Sequence, residues 1–286
     1  MILILGYIVV IASTLGGFML AGGHPMVLMH LSEFVIIGGI ALGVLLVASP
    51  NVVIKQIISS VINAFQSQGL KREEMIELFK LLYEMFMAGR RNGLIALDDH
   101  VSDPQNSSIF QKYPSFSKDP KRVAFMVNAL RPVIDGKIKP DGLEPLLHAE
   151  IETMEDEGHR PLAILTLVGD SLPGIGIIAA VLGIINTMAA ISDGPEKVGA
   201  KVAAALTGTF LGILGAYGFI NPIHKRIEFT NDSNMLYFQA MSRCISGFAK
   251  GLSPIMAIEI ARRGLPNELQ IPADDLEKML KDATNG

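Results

Sequence analysis

Four apolar runs alternate with polar stretches along the chain. The runs are Ile2–Ala21, Phe34–Ser49, Ser171–Ala190 and Val202–Ile220, and none of them contains Asp, Glu, Lys or Arg. A helix of about 20 residues is about 30 Å long, which matches the hydrocarbon core of a bilayer. The pattern therefore predicts an all-α integral membrane protein with four transmembrane helices, of which the second is short.

The polar stretches divide the chain into four predicted segments. Residues 1–50 hold spans 1 and 2, 51–160 form a large helical domain, 161–222 hold spans 3 and 4, and 223–286 form an amphipathic helix with a polar tail. Inside the large domain, apolar residues recur at helical spacing, whereas residues 102–117 are rich in Asn, Ser and Pro and predict a loop. The predicted helices of this domain are Val52–Phe65, Met75–Met87, Lys121–Ile134 and Pro140–Glu157.

Composition and charge indicate the class and orientation of the protein. The chain is 50% hydrophobic and 18% charged, with a mean hydropathy of +0.41, which is typical of membrane proteins. The two long polar segments hold 14 and 8 of the 24 Lys and Arg residues, whereas the turns at 22–31 and 193–201 hold none and two. The positive-inside rule then predicts that the large domain and both termini are cytoplasmic. No basic run is dense enough to bind nucleic acid, and the single cysteine excludes an intramolecular disulfide.

The third apolar run carries a row of small residues. In a membrane, a face of small residues lets a second helix approach closely. The pattern fits plain packing between helices and also fits a functional groove, and the sequence leaves both interpretations open. The residues follow one helical face at alternating steps of four and three: Gly169, Pro173, Gly176, Ala180, Gly183, Thr187 and Ala190.

Asp170 and Pro173 stand where the third run begins, and they permit two interpretations. In the first, the span begins at Asp170, Ser171 caps it, and Pro173 occupies a tolerated position in the first turn. In the second, one helix continues from the region 140–157 through Pro173. The proline then removes a backbone hydrogen bond and crowds the carbonyl of Gly169, which kinks the helix.

Few groups in the predicted spans could carry an ion. Glu33 follows Ser32 just before the second run, and together they indicate a helix start with Glu33 as an interfacial anchor. Thr187 and Thr209 supply hydroxyls on the faces rich in Gly and Ala, but membrane threonines commonly bond to the carbonyl four residues earlier, here Ala205 for Thr209. Because a proton channel needs a group that can be protonated and deprotonated, a partner would have to supply the acid.

The large polar domain contains charges of both signs near one another in the sequence. Arg90 and Arg91 end a predicted helix, Asp98 and Asp99 follow one turn later, and Glu150 lies in an acidic helix. Such groups are usually a solvated surface, but they could also steer a protein partner. No hydrolase, metal or nucleotide signature is present, so the sequence predicts a protein that is not an enzyme and that has no cofactor.

Three blocks of sequence carry a resemblance to a known family. They are VGDSLPGIGIIAAVLGIINTM in span 3, GTFLGILGAYGFINP in span 4 and RRNGLIALDDHVSDP in the large domain. With the layout of four spans around one domain, the chain resembles the MotA family of flagellar motor stator subunits over nearly its whole length.

The resemblance implies partners and roles for particular residues. MotA-like subunits form a ring, taken to be five, around two copies of MotB in the bacterial inner membrane, and each MotB brings one transmembrane helix with an aspartate. Pro173 and Pro222 match the family's functional prolines at the cytoplasmic ends of spans 3 and 4. Arg90, Asp98 and Glu150 match the charged positions that engage the rotor protein FliG; Arg91 and Asp99 stand beside them.

The resemblance also bears on the transported ion and on rival functions. Sodium-driven relatives carry Thr where this chain has Ala180, so the resemblance favours protons and leaves sodium as the alternative. An energiser of envelope transport like ExbB or TolQ is the nearest rival, but those relatives look like proteins with three spans. A secondary transporter or a membrane scaffold remains as a further alternative.

Overall fold

The computed structural model describes residues 2–66, 69–188 and 194–285. All regular structure in these residues is helical, and no strand occurs among them. The chain forms two compact units, which we call the membrane unit and the globular unit. The membrane unit comprises residues 1–67 and 157–229, and the globular unit comprises residues 68–156 and 230–286.

Twelve α-helices form the described part of the chain. They are α1 (Ile2–Leu20), α2 (Leu31–Ala48), α3 (Asn51–Gln66), α4 (Arg72–Asn92), α5 (Asp98–Ser102), α6 (Pro114–Ser117), α7 (Pro120–Ile134), α8 (Pro140–Met188), α9 (Pro195–Leu214), α10 (Asn221–Ala249), α11 (Pro254–Arg263) and α12 (Ala273–Asn285). Short 3₁₀ turns lie at Pro25–Leu28, Leu94–Leu97 and Phe110–Lys112, and a π-helical turn lies at Gly215–Ile220.

Four of these helices are long and apolar enough to cross a membrane, as the sequence predicts. They are α1, α2 with the 3₁₀ turn before it, the second half of α8, and α9, which continues through the π-helical turn into α10. The predicted turn at residues 193–201 is wrong for most of its length, because α9 already begins at Pro195, where proline suits the first helical turn. The predicted end of span 3, at residues 189–190, lies outside the described residues.

Helix α8 decides between the two interpretations of Pro173. The helix runs without interruption from Pro140 to Met188 and passes through Asp170, Ser171 and Pro173. The hydroxyl of Ser171 donates to the carbonyl of Leu167 at 2.7 Å, so it does not cap a helix start. The continuous-helix interpretation is therefore correct, and Pro173 interrupts the backbone hydrogen bonding of a long helix from within.

Pro222 likewise lies inside a continuous helical stretch, because α9, the π-helical turn and α10 follow one another from Pro195 to Ala249. The π-helical turn lies directly before α10, whose second residue is Pro222. A proline removes one N–H and its ring clashes with the carbonyl four residues earlier. A wider turn relieves that clash, and π turns of this kind are frequent at functional sites.

The compact units divide the chain differently from the segments read from the sequence. Helix α3, expected in the large polar domain, belongs to the membrane unit, where Val53 and Ile57 pack in one apolar cluster with Leu162, Leu165 and Ile223. The limits of the four segments remain predictions from the sequence about where the chain enters and leaves the membrane. These segments are 1–50, 51–160, 161–222 and 223–286.

The globular unit has a large apolar core centred on α4. The side chains of Leu78, Phe79, Leu82 and Phe86 are fully buried, and the ring of Phe86 stacks on Phe248 with centroids 4.2 Å apart. These residues recur at helical spacing, as the sequence predicts for 75–87, because one broad face of α4 meets the core. Gly93 ends α4 with a φ of +81°, which only glycine adopts freely.

After residue 222 the sequence predicts an amphipathic helix and then a polar tail; the helix is present as α10, but the residues that follow it are not a tail. Helices α10, α11 and α12 all contribute to the core of the globular unit. Leu269 and Ile271 of the connection between α11 and α12 are buried there, as are Leu276 and Leu280 of α12. Sparse apolar residues among many charges look like a tail in the sequence, but each apolar residue here covers the core beside α4. The C-terminal residues therefore help to stabilise the unit.

Candidate functional site

The apolar part of α8 packs against α9 with backbone nearly touching backbone. A methyl group added at Gly212 would lie 2.6 Å from the carbonyl oxygen of Leu172, and one at Gly176 would lie 2.9 Å from the carbonyl oxygen of Gly208. One at Gly183 would lie 2.8 Å from Cβ of Ala205. The small-residue face of span 3 is thus used, at these positions, for close packing within the chain.

We call this contact between α8 and α9 the seam. The hydroxyl groups near the seam differ in their hydrogen bonds. Thr187 is buried and donates to the carbonyl of Gly183 at 2.8 Å, and Thr207 donates to the carbonyl of Ala203 at 2.9 Å. The expected bond from Thr209 to Ala205 is not formed. The half-buried Thr209 has no hydrogen-bond partner among the described residues, so its hydroxyl is available to a water or an ion.

Ala180 lies at the same level of the seam as Thr209. A methyl group at Gly208, the neighbour of Thr209, would lie 3.4 Å from the backbone nitrogen of Ala180. The side chain of Ala180 supplies no oxygen, and no group of three or more His, Cys, Asp or Glu that could hold a metal ion occurs in the described residues. This part of the seam therefore offers one free hydroxyl and no carboxylate of α8 or α9.

The two prolines mark the other end of the seam. Pro173 is half-buried, Asp170 and Pro222 are exposed, and a methyl group at Gly169 would collide with the side-chain oxygen of Asn221. Pro173 and the π-helical turn before Pro222 thus lie beside one contact between α8 and α10. Proline has no backbone N–H, so each helix lacks one backbone hydrogen bond at its proline and can bend there.

Tyr7 of α1 stabilises the π-helical turn. Its hydroxyl donates to the carbonyl of Phe219 at 3.0 Å, and its ring stacks on Phe219 with centroids 5.1 Å apart. A π turn departs from the regular hydrogen bonding of an α-helix, so a donor from another helix helps to hold it. Nothing in the sequence around Tyr7 indicates this contact, because Phe219 is distant from it along the chain.

The five charged residues that the sequence analysis names as candidates lie in two places of the globular unit. Arg90 and Arg91 end α4, and Asp98 and Asp99 begin α5 after the intervening 3₁₀ turn, so these four exposed residues share one surface region. Glu150 lies on α8, where partial burial raises its pKa above the usual range for a glutamate. No ion pair joins the acids to the arginines in the part of the chain that the structure describes.

Arg90 donates hydrogen bonds to the backbone, whereas the side chain of Arg91 has no hydrogen bond among the described residues. The guanidinium of Arg90 donates to the carbonyl oxygens of Gly251 at 2.8 Å and Leu252 at 3.1 Å. These carbonyls lie just after α10, so Arg90 ties the end of α4 to the connection before α11. The exposed Arg91 is the freer of the two cations for an external partner.

The environment of Glu33 differs from the interfacial position that the sequence predicts. An interfacial anchor would point its carboxylate to water, yet Glu33 is only 3% exposed. Helix α2 begins at Leu31, with His30 before it, so the helix starts earlier than the position expected from Ser32 and Glu33. Its carboxylate lies against Gly208 of α9. The sequence feature that could have indicated this burial is Gly208, because a glycine on the facing helix leaves room for a longer side chain.

Comparison with known proteins agrees with this arrangement. The family model described as motility protein A N-terminal matches residues 4–93, and the MotA/TolQ/ExbB proton channel family model matches residues 118–240. Motility protein A of Salmonella typhimurium is 33% identical over 285 residues, covering 100% of this chain and 97% of the relative.

Two solved structures share the fold. The structure of C. jejuni MotAB matches with a TM-score of 0.77 and 23% identity, over 94% of this chain and 96% of that chain. The flagellar MotAB stator complex from Bacillus subtilis matches with a TM-score of 0.73 and 23% identity, over 96% and 97%. From the full-length match to a curated relative and the two family models, the chain belongs to the motility protein A family of multi-pass membrane proteins.

Proposed function

We propose that this chain is a stator subunit of the bacterial flagellar motor, in which proton flow drives torque on the rotor. The observation that carries the proposal is the match to motility protein A over the entire chain. The family is one of proton channels and torque generators, so the chain is not an enzyme. It lies in the inner membrane, and the positive-inside rule places both termini in the cytoplasm.

The partner in this function is a MotB-like subunit with one transmembrane helix. The apolar part of α8, from Ser171 to Met188, and the apolar run of α9 contain no carboxylate, so the partner's membrane aspartate supplies the acid that carries the proton. The solved MotAB complexes with the same fold support this pairing. We expect five copies of this chain around two copies of the partner.

Protons fit the seam better than sodium ions. A dehydrated sodium ion needs several oxygen ligands, whereas Ala180 is apolar and Thr209 offers one free hydroxyl. Thr187 is already bonded within its own helix. Rotation speed measured across sodium concentrations at constant proton-motive force tests the ion: the proposal expects no dependence, and a strong dependence would establish sodium.

Torque requires both a moving element and a contact with the rotor. One elementary charge that crosses the membrane releases about 2.3 kcal/mol per 100 mV. We expect α8 to respond by bending at Pro173, and α10 by bending at the π-helical turn before Pro222. In the globular unit, we expect Asp98, Glu150 and one of the two arginines to contact FliG. Arg91 is a better candidate than Arg90, because Arg90 already donates to two backbone carbonyls. Oppositely charged groups there steer and orient a protein partner.

The rotor contact is tested by charge reversal in the organism that carries this chain. Arg91→Glu is expected to lower torque, and an opposite reversal on FliG is expected to restore part of it. Lys118→Glu, on the connection before α7, serves as a matched control for a changed charge on the globular unit. If no FliG reversal restores torque, Arg91 does not contact the rotor.

An energiser of the ExbB or TolQ type is the alternative, since the second family model includes those proteins. It is less well supported, because residues 4–93 match a model specific to motility protein A. Co-purification separates the two functions. A partner with one span and a peptidoglycan-binding domain supports the stator, and association with an envelope transport complex supports the energiser.

A further inference from the structure

The carboxylate of Glu33 is buried in the membrane unit without a full set of partners. The residue is 3% exposed, and its Oε2 has no hydrogen-bond partner in the described residues. Oε1 accepts one long hydrogen bond, from the hydroxyl of Ser32 at 3.4 Å. Buried polar atoms are almost always satisfied, so an unpartnered carboxylate oxygen calls for a functional explanation.

Its position is set by a gap in the facing helix. A methyl group at Gly208 would lie 2.7 Å from Oε2 of Glu33, so the absent side chain leaves the space that the carboxylate occupies. One turn further along α2, Ile37 is buried with Leu172 and Ala179 of α8. Glu33 therefore lies over the groove between α8 and α9, on the same face of α2 as Ile37.

The carboxylate lies inside the apolar layer, as judged along α9. Gly208 follows the start of the apolar run, Val202, by six residues, which is about 9 Å at 1.5 Å per residue. The next residue of α9 is Thr209, whose hydroxyl is free among the described residues. A titratable acid and a free hydroxyl thus occupy neighbouring levels of the seam.

No described group compensates the charge of Glu33. Helix α1 has no charged residue, and α8 has none from Ser171 to Met188. On α9 the ionisable residues are Glu196, Lys197 and Lys201, and the ammonium group of Lys201, two turns from Gly208, donates to the backbone carbonyl of Asn186 at 3.1 Å.

Two histidines complete the ionisable groups near this end of α2. His30 is three residues before Glu33, and its Nε2 is buried without a partner in the described residues. His24 stands before the 3₁₀ turn at Pro25–Leu28. No ion pair of Glu33 with these groups is present among the described residues, and a buried carboxylate without a counter-charge is costly.

We propose that Glu33 is a proton-binding site in the outer half of the membrane unit. The inference rests on the proposed stator function. A proton passes from water to the carboxylate of Glu33 and forms the carboxylic acid O–H. That bond breaks again when the proton passes to water beside Thr209 and on to the partner's aspartate, which regenerates the carboxylate. The site thus loads the acid of the partner from outside.

The test compares Glu33→Gln with Glu33→Asp and Ser32→Ala in the native host. Glutamine keeps the shape of the side chain but cannot bind and release a proton, aspartate keeps the carboxyl, and Ser32→Ala changes only the weak neighbouring bond. Tethered-cell rotation is measured from mildly acidic to mildly alkaline external pH, and the amount of chain co-purified with its partner is measured alongside.

We expect Glu33→Gln to slow rotation severalfold at alkaline external pH, where protons are scarce, and less at acidic pH, with unchanged co-purification. Glu33→Asp and Ser32→Ala are expected to follow the wild type. Wild-type speed of Glu33→Gln at every pH overturns the proposal, as does a loss explained by reduced assembly. If added sodium restores the rotation speed of Glu33→Gln, the site binds sodium, and the proposal that it binds a proton is overturned.

A second readout is independent of the motor. In the purified complex, infrared difference spectra recorded across pH are expected to show a carboxylic acid band that Glu33→Gln removes. Absence of that band overturns proton binding at Glu33. If the band is present but deletion of the chain leaves rotation intact, the stator function fails while the proton-binding site stands.

Discussion

Replacing Gly212 by alanine tests the packing of the seam between α8 and α9. The added methyl carbon would lie 2.6 Å from the carbonyl oxygen of Leu172, whereas ordinary contacts begin at 3.4 Å, so the helices must separate locally by about 0.8 Å. The nearest atoms of Gly176, Cα at 2.8 Å and the backbone nitrogen at 3.0 Å, also belong to the backbone. No side chain can rotate away to make room.

The energetic cost follows from that separation. Overpacking of a close-packed interior typically costs about 1–3 kcal/mol, and a gap of 0.5–1 Å forfeits about a quarter to a half of each dispersion contact. We therefore expect Gly212→Ala to lower the unfolding midpoint by about 2–4 °C for each kcal/mol lost.

The assay is thermal unfolding of the purified complex in detergent, followed by circular dichroism. Gly199→Ala is the matched control, because Gly199 lies in the same helix and a methyl group there would meet nothing within 4 Å. Alanine is the better helix former, so the control is expected to match or slightly exceed the wild type. Equal midpoints for Gly212→Ala, the control and the wild type would refute the close packing.

Three further predictions concern the globular unit. Arg90→Ala is expected to destabilise it by about 1 kcal/mol, because two hydrogen bonds to backbone carbonyls are lost, whereas Arg91→Ala leaves thermal unfolding unchanged; equal effects would contradict the structural role of Arg90. Burial raises the pKa of Glu150, so the folded state binds that proton more tightly and gains stability as the pH falls through the raised value. Glu150→Gln is therefore expected to raise the unfolding midpoint at neutral pH and to lose this advantage in acid; a pH-independent difference would refute the burial effect. Cys244 is fully buried, which raises the pKa of its thiol, so a maleimide is expected to label it only after denaturation, and rapid labelling of the folded complex would contradict its burial.

The spans were predictable because their signal is local. Runs without charge and of sufficient length admit few structures other than membrane helices, so α1 and α2 agree with the sequence within a few residues. The same holds for α4, since one apolar face at helical spacing is recorded in the sequence itself and ends at the glycine after Asn92.

Whether a helix ends at each proline was not predictable, because the answer depends on how the residues after the proline pack. Pro173 and Pro222 resemble helix boundaries in the sequence. In the structure, contacts of α8 and α10 extend both helices past them, and the π-helical turn absorbs the clash before Pro222. Tertiary packing therefore outweighs the local preference to end a helix.

Glu33 and Arg90 show why candidate sites are harder to predict than spans. The burial of Glu33 depends on a missing side chain at Gly208, which is 175 residues away in the sequence. The contact of Arg90 with Gly251 joins two helix ends that are 161 residues apart. Neither pairing produces a periodic pattern of residues along the chain, so a single sequence does not reveal it.

The stator function is tested most directly by rotation of tethered cells in the native host. With this chain deleted, cells are expected to build flagella that do not turn. Rotation is expected to return when the chain is restored with its one-span partner, and to remain absent when the partner's membrane aspartate is replaced by asparagine. Rotation without the chain, or with the aspartate neutralised, would contradict the account.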